Sequence, residues 1–263
     1  MQEQVRRLRP WLAIVAALLA IAVLIPPAGT AATRYVFAQA VQFAVLAVIV
    51  PALIVLGAPW RRLSGRSGST GPSLADRVAA KRSHSPARGR AWAWAALVGY
   101  LVIALGWRLP VAVNALVRHP VLTAVEAITL IAAGCALWLE LVESPPLLPR
   151  ISRPTRAAFA ALPMWALWAS AYIMGFSGSA WFAALAHGGG QGLGTVADQE
   201  IAAALLWLVP ALAFIPVVYV ALITWLRDSA DPDTELRSEG AATPAGQAQP
   251  SLRPPRGWRA PSS

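Results

Sequence analysis

Glu126 is the residue with the most unusual setting: a carboxylate inside an otherwise apolar run. A charge buried among apolar side chains in a bilayer is costly, so it either serves a function or is held by a partner on a neighbouring helix. Thr123 and Thr129 stand three residues either side of it, within about 60° on a helical wheel, whereas Cys135 falls near 180° away and cannot share its site. A second set of polar residues flanks other apolar runs. Gln39, Gln42 and Phe43 belong to one, Trp107-Arg108-Leu109-Pro110 closes another, Asn114 follows, and Asp198, Gln199 and Glu200 open the last. Arg108 with Glu126 is the expected interhelical ion pair, because neither charge is tolerable alone at that depth. Asp198 and Glu200 read as carboxylates capping a helix N-terminus.

Other chemistries lack their parts. Cys135 is the single cysteine and no CxxC pair exists; the methionines are Met1, Met164 and Met174. The three histidines, His84, His119 and His187, do not assemble into one site from the sequence. The glycine-rich stretch from His187 to Gly194 lacks the Lys-Ser/Thr ending of a phosphate loop and the strand of a dinucleotide fingerprint, and reads as a flexible surface loop. Without a nucleophile–base pair or metal-ligand spacing, no enzyme is expected.

The elements that must position these residues are apolar helices. Of the 263 residues, 57% are hydrophobic and only 13% charged, against about 25% charged in average soluble domains. Apolar blocks run over 11–28, 36–57, 91–107, 121–139, 157–176 and 201–226. Blocks of about 20 residues span a ~30 Å hydrocarbon core at about 1.5 Å per residue. The expectation is an all-α, polytopic membrane protein with a six-transmembrane-helix bundle. The first block is read as a retained helix, since Ile25-Pro26-Pro27 occupies the place of a signal cleavage site. Pro51 and Pro210 fall within spans and kink them. Trp11, Trp60, Trp107, Trp181 and Trp225 mark span ends.

The net charge of +10 suggests nucleic acid until the charges are placed. Nineteen of the 22 Lys and Arg residues lie in segments that alternate onto one side, leaving Arg34, Arg108 and Arg118 on the other. This puts both termini and the basic loop in the cytoplasm. No nucleic-acid partner is implied. The domain reading is a cytoplasmic N-terminus at 1–10, a transmembrane domain at 11–226 with a basic loop at 60–90, and a disordered cytoplasmic tail at 227–263. The basic loop is expected to be mobile and to touch anionic lipid heads. Gln39, Gln42, Arg108, Asn114, Glu126, Asp198 and Gln199 then gather at the external interface as a polar cluster or partner-binding surface.

Several stretches, taken in order, resemble the CtaG-like cytochrome c oxidase assembly factors. They are 39–59 ending Val55-Leu56-Gly57-Ala58-Pro59, then Trp107-Arg108-Leu109-Pro110, Arg118-His119-Pro120-Val121-Leu122 with Glu126, and Ala197-Asp198-Gln199-Glu200-Ile201-Ala202 leading to Trp207. The resemblance covers roughly 12–227. It implies a membrane protein linked to copper delivery, with a respiratory oxidase subunit as partner. It also implies seven spans, and histidines where this chain has Gln39, Phe43, Arg108, Thr123 and Ala127. Those side chains are poor or impossible copper ligands. Copper is therefore a cofactor by resemblance only, and no metal ligand is assigned.

The leading reading is an assembly factor for a haem-copper oxidase that binds partners and carries a degenerate copper site. A stoichiometric accessory subunit of a respiratory complex is a second reading. A small transporter using Glu126 and Arg108 is a third; against it, only one carboxylate lies well inside the spans and no inverted repeat is visible.

Overall fold

Prolines and polar turns, more than the apolar blocks, set where the helices begin and end. The computed structural model describes residues 2–60, 86–186 and 194–229, with side chains from residue 11 in the first segment and from residue 89 in the second. The helices are α1 (Gln2–Leu24), α2 (Ala28–Ala32), α3 (Val36–Gly57), α4 (Pro86–Trp107), α5 (Pro110–Arg118), α6 (Val121–Leu141), α7 (Arg153–Gly175) and α8 (Thr195–Ser229). No strand occurs among the described residues. The chain divides into two units, Met1–Ile223 and Thr224–Ser263; of the second, the described residues up to Ser229 are helical. Of the basic loop only Trp60 and 86–90 are described, and of the tail only 227–229. Residues 86–90 and 227–229 are helical, where loop and disordered tail were expected, while His84, His187 and the glycine-rich stretch before Gly194 lie outside the described residues.

The all-α reading holds, and the count of six spans is met in part. Among the described residues five helices are long and apolar enough to cross a membrane: Val36–Gly57, Gly89–Trp107, Val121–Leu141, Arg153–Gly175 and Thr195–Ser229. The first apolar block is shorter than expected because α1 stops at Leu24, ahead of Pro26 and Pro27, leaving an apolar stretch of Trp11–Leu24. Proline has no amide hydrogen to donate, and the residue before it is pushed out of the helical region. Other ends move outward instead. α7 starts at Arg153, with Pro154 in its first turn, and α8 starts at Thr195. Helical hydrogen bonding continues through polar turns that hydropathy assigns to loops. The expected short connection holding Asn114 is itself a helix, α5.

α3 carries the fold's main irregularity. Its residues Val45–Ile49 widen into a π-helical turn just before Pro51. Pro51 has no amide hydrogen to return to the preceding turn, which is one of the recognised causes of such a distortion. α6 packs against this point through Gly134: a Cβ there would lie 2.7 Å from Pro51 Cβ and 2.9 Å from the Ala47 carbonyl oxygen. Gly134→Ala is therefore expected to destabilise the protein by about 1–3 kcal/mol through overpacking. Thermal unfolding of the detergent-purified protein measures it; a change within about 0.5 kcal/mol would show that α3 and α6 part without cost.

Aromatic pairs complete the packing. Trp138 of α6 stacks on Phe214 of α8 at 5.4 Å between ring centroids, Trp168 of α7 on Trp207 of α8 at 4.8 Å, and Trp94 of α4 meets Phe159 of α7 edge-on. Large apolar side chains remain exposed along the spans, such as Val102, Ile128 and Leu212. Lipid covers such faces in a membrane protein.

Candidate functional site

At the end of the fold that carries α2 and α5, Arg108 sits among side chains of α3, α7 and the connection after α7. It follows α4 directly, held in the tight turn before Pro110 by its amide bond to the Leu105 carbonyl. Its side chain is buried, at 6% exposure. Nη1 donates to Gln39 Oε1 of α3, and Nη2 approaches Met174 Sδ of α7 at 3.3 Å. The guanidinium lies 5.3 Å from the Phe43 ring centroid and 5.2 Å from that of Phe182. Both rings offer the electron-rich face that favours a cation, and guanidinium tolerates such desolvated stacking better than ammonium does.

Glu126 of α6 is buried too, at 1% exposure. Gln39 Nε2 donates to its Oε1 at 3.5 Å, a long bond. The expected Arg108–Glu126 ion pair is thus corrected in its geometry: Gln39 stands between the charges and bonds to both. The amide suits this position because it carries an acceptor at one end and donors at the other. An unlike pair still balances its charge across the bridge, which is why a carboxylate and a guanidinium both persist in this apolar setting.

The remaining polar residues are held elsewhere. Asp198, expected to cap its own helix, instead accepts from the backbone amides of Val36 and Phe37, each at 2.8 Å. Tyr35, at the N-cap of α3, makes no side-chain cap bond, and Asp198 supplies the cap from α8. Glu200 is exposed and caps nothing. Gln199 binds the connection after α7: it accepts from Trp181 N at 2.8 Å and donates to Met174 O at 2.7 Å. Asn114 Oδ1 accepts from Ala184 N at 2.9 Å and pins the same connection to α5. Gln42 Nε2 donates to Val23 O at 3.0 Å, tying α3 to α1. Thr129 accepts from Trp107 Nε1 at 2.9 Å and so joins α4 to α6.

Among the seven residues expected at one level, Arg108, Gln39 and Glu126 form one cluster, while Gln42, Asp198, and Gln199 with Asn114 act as three anchors. Asp198→Ala is expected to cost about 2 kcal/mol by stripping two buried amides of a charged acceptor, and Asp198→Asn about half that. Thermal unfolding of the two variants side by side measures the difference; equal losses would deny the cap its charge contribution. Phe182 escaped the sequence reading, and Met174 was noted there only as one of few sulfurs; neither is tied to Arg108 until the guanidinium is seen beside both.

Beside the cluster opens a pocket of about 170 Å³ between α1, α2, α3, α5 and α6, with Gln39, Gln42, Thr123 and Glu126 on its lining. At the opposite end of α6, Glu140 is fully buried and was read only as the start of a loop. It accepts from Arg150 N at 3.0 Å, from Arg150 Nε at 2.9 Å, and from Arg150 Nη2. Ser144 Oγ, in the same connection, donates to Val55 O of α3 at 2.7 Å.

Residues 2–228 match the family of the cytochrome c oxidase caa3 assembly factor, Caa3_CtaG. The chain belongs to that family. Nothing matches it among curated proteins or solved structures. The resemblance drawn from 12–227 is thereby confirmed over nearly the same span. For this Caa3_CtaG member, the donor set at Gln39, Phe43, Arg108, Thr123 and Ala127 does not fit copper. A guanidinium, which keeps its positive charge, stands among those positions, and Gln39 is already bonded at both ends. The one sulfur nearby, Met174 Sδ, faces that same guanidinium. Among the described residues no three His, Cys, Asp or Glu side chains come close enough to share an ion.

Proposed function

We propose that this chain is a multi-pass protein of the bacterial cell membrane, termini in the cytoplasm, that supports maturation of a haem-copper oxidase by binding its subunits without carrying copper itself. The transmembrane domain of 11–226 does this work in that reading, including the first helix as a sixth span, and no catalytic step is assigned. The observation that carries the proposal is the guanidinium of Arg108, bonded to Gln39 and covered by Phe43 and Phe182, in a chain whose family membership ties it to oxidase assembly.

The buried polar residues act on this function through shape. Gln199 and Asn114 fix the connection over Ser177–Ala186, and Asp198 fixes the start of α3. These are the segments that face the external side under the proposed orientation, where a partner subunit would meet them. Deleting the gene is expected to lower assembled oxidase several-fold, and added copper is expected not to restore it. Oxidase spectra of membranes read the result. Full rescue by copper, or tight stoichiometric copper in the purified protein, would overturn the copper-free reading; normal oxidase levels would remove the oxidase link. Stoichiometric copurification with the mature oxidase would turn the factor into an accessory subunit.

A further inference from the structure

The pocket beside α2 presents three oxygens with no hydrogen-bond partner among the described residues. Glu126 receives only the long bond from Gln39 on Oε1, which leaves Oε2 open. Gln42 spends Nε2 on the Val23 carbonyl and keeps Oε1 free. The Thr123 hydroxyl bonds to nothing, although its backbone amide reaches Pro120 O. None of these oxygens is sealed inside protein, and all three residues line the pocket. An acceptor that faces a pocket takes its donor from whatever enters it, water included.

The lining also states which donor. It contains no lysine, arginine or histidine, and Arg108 stands outside it, behind Gln39. Its one charge is a carboxylate, while Leu24, Leu116, Val117 and Pro120 make apolar walls. Thr33 and Pro120 are exposed and mark the mouth, whereas Gln42 and Glu126 are buried at the far end. We propose that this pocket binds a primary ammonium group on a short alkyl chain, entering past Thr33 and Pro120. An ammonium offers three donors and no acceptor, which matches three open oxygens. The apolar walls would cover the alkyl stem. A volume of about 170 Å³ is far larger than a bare metal ion, and copper(I) would find neither sulfur nor imidazole on these walls. The ammonium can arrive as a free alkylamine or as a lysine side chain.

The site is tested by calorimetric titration of the full-length protein in zwitterionic nanodiscs with n-butylammonium chloride at neutral pH. One saturable site is expected, with no binding of n-butanol and no displacement by equal potassium. Glu126→Gln is expected to weaken binding by about tenfold or more, and Thr123→Val by about threefold, in line with charged and neutral hydrogen bonds respectively. Thr123→Val leaves Arg108 and Gln39 undisturbed, so it decides the matter if Glu126→Gln fails to fold. Absence of saturable binding by folded wild-type protein would overturn the proposal. So would equal binding of butanol, displacement by equal potassium, or unchanged affinity in Thr123→Val. Tighter binding of Nα-acetyl-lysine amide than of butylammonium would identify a protein lysine as the source, and the reverse a free amine; both uphold the ammonium site. Failure here would leave the oxidase-assembly reading intact, because that reading rests on other residues.

Discussion

Arg108→Ala is expected to destabilise the protein by about 3–5 kcal/mol, because it leaves the Glu126 carboxylate buried without a balancing charge. The same substitution strips Gln39 Oε1 of its donor and removes the cation between the Phe43 and Phe182 rings. Arg108→Lys is expected to recover only part of the loss, since an ammonium cannot both stack between two rings and reach Gln39 as a planar guanidinium does. The decisive comparison is the double variant Arg108→Ala with Glu126→Gln. Removing both charges should cost less than the sum of the single losses, with a coupling of about 1–3 kcal/mol. Glu126→Ala should cost more than Glu126→Gln, which still offers Gln39 an oxygen. Circular dichroism during thermal unfolding in detergent reads all five variants. Additive losses would show that the charges do not sense one another through the bridge.

Glu140→Ala should have the second large effect, about 3 kcal/mol, because three donors of Arg150 lose one buried acceptor group. The loss should exceed that of Arg150→Ala, in which water can reach the carboxylate through the space vacated by a partly exposed side chain. Glu143→Ala provides the contrast: its bond to Arg156 at 3.2 Å lies on an exposed carboxylate and is expected to contribute less than about 1 kcal/mol. Comparable losses in Glu140→Ala and Glu143→Ala would refute the importance assigned to burial.

The charged members of the cluster were legible in the sequence because a charge within an apolar run violates the local pattern. Arg108 and Glu126 could be picked out, and their mutual dependence argued, from cost alone. Gln39 could be picked out as polar, but its place between them depends on how α3 is rotated against α4 and α6. A helical wheel describes one helix and says nothing about that rotation. Asp198 shows the same limit. Its position near a helix start was clear, yet it caps a different helix 162 residues away in sequence. Glu140 was lost for another reason: hydropathy ends α6 early, so a buried carboxylate looked like an ordinary loop residue. The first block was read four residues too long because Ala28 belongs to α2, beyond the prolines, and α1 stops at Leu24.

The cap that Asp198 places on α3 also bears on how the chain is made. α3 precedes α8 in the chain, and its first two amides, at Val36 and Phe37, wait for a carboxylate that the ribosome adds 162 and 161 residues later. Until the start of α8 arrives, the entry to α3 must satisfy those amides with water or lipid headgroups. The entry to α3 therefore remains open to rearrangement until α8 is made, and arrival of α8 fixes it. A chain cut short before Asp198 would hold its apolar spans yet lack this closure, giving membrane quality-control proteases a physical mark by which to tell a finished chain from an unfinished one.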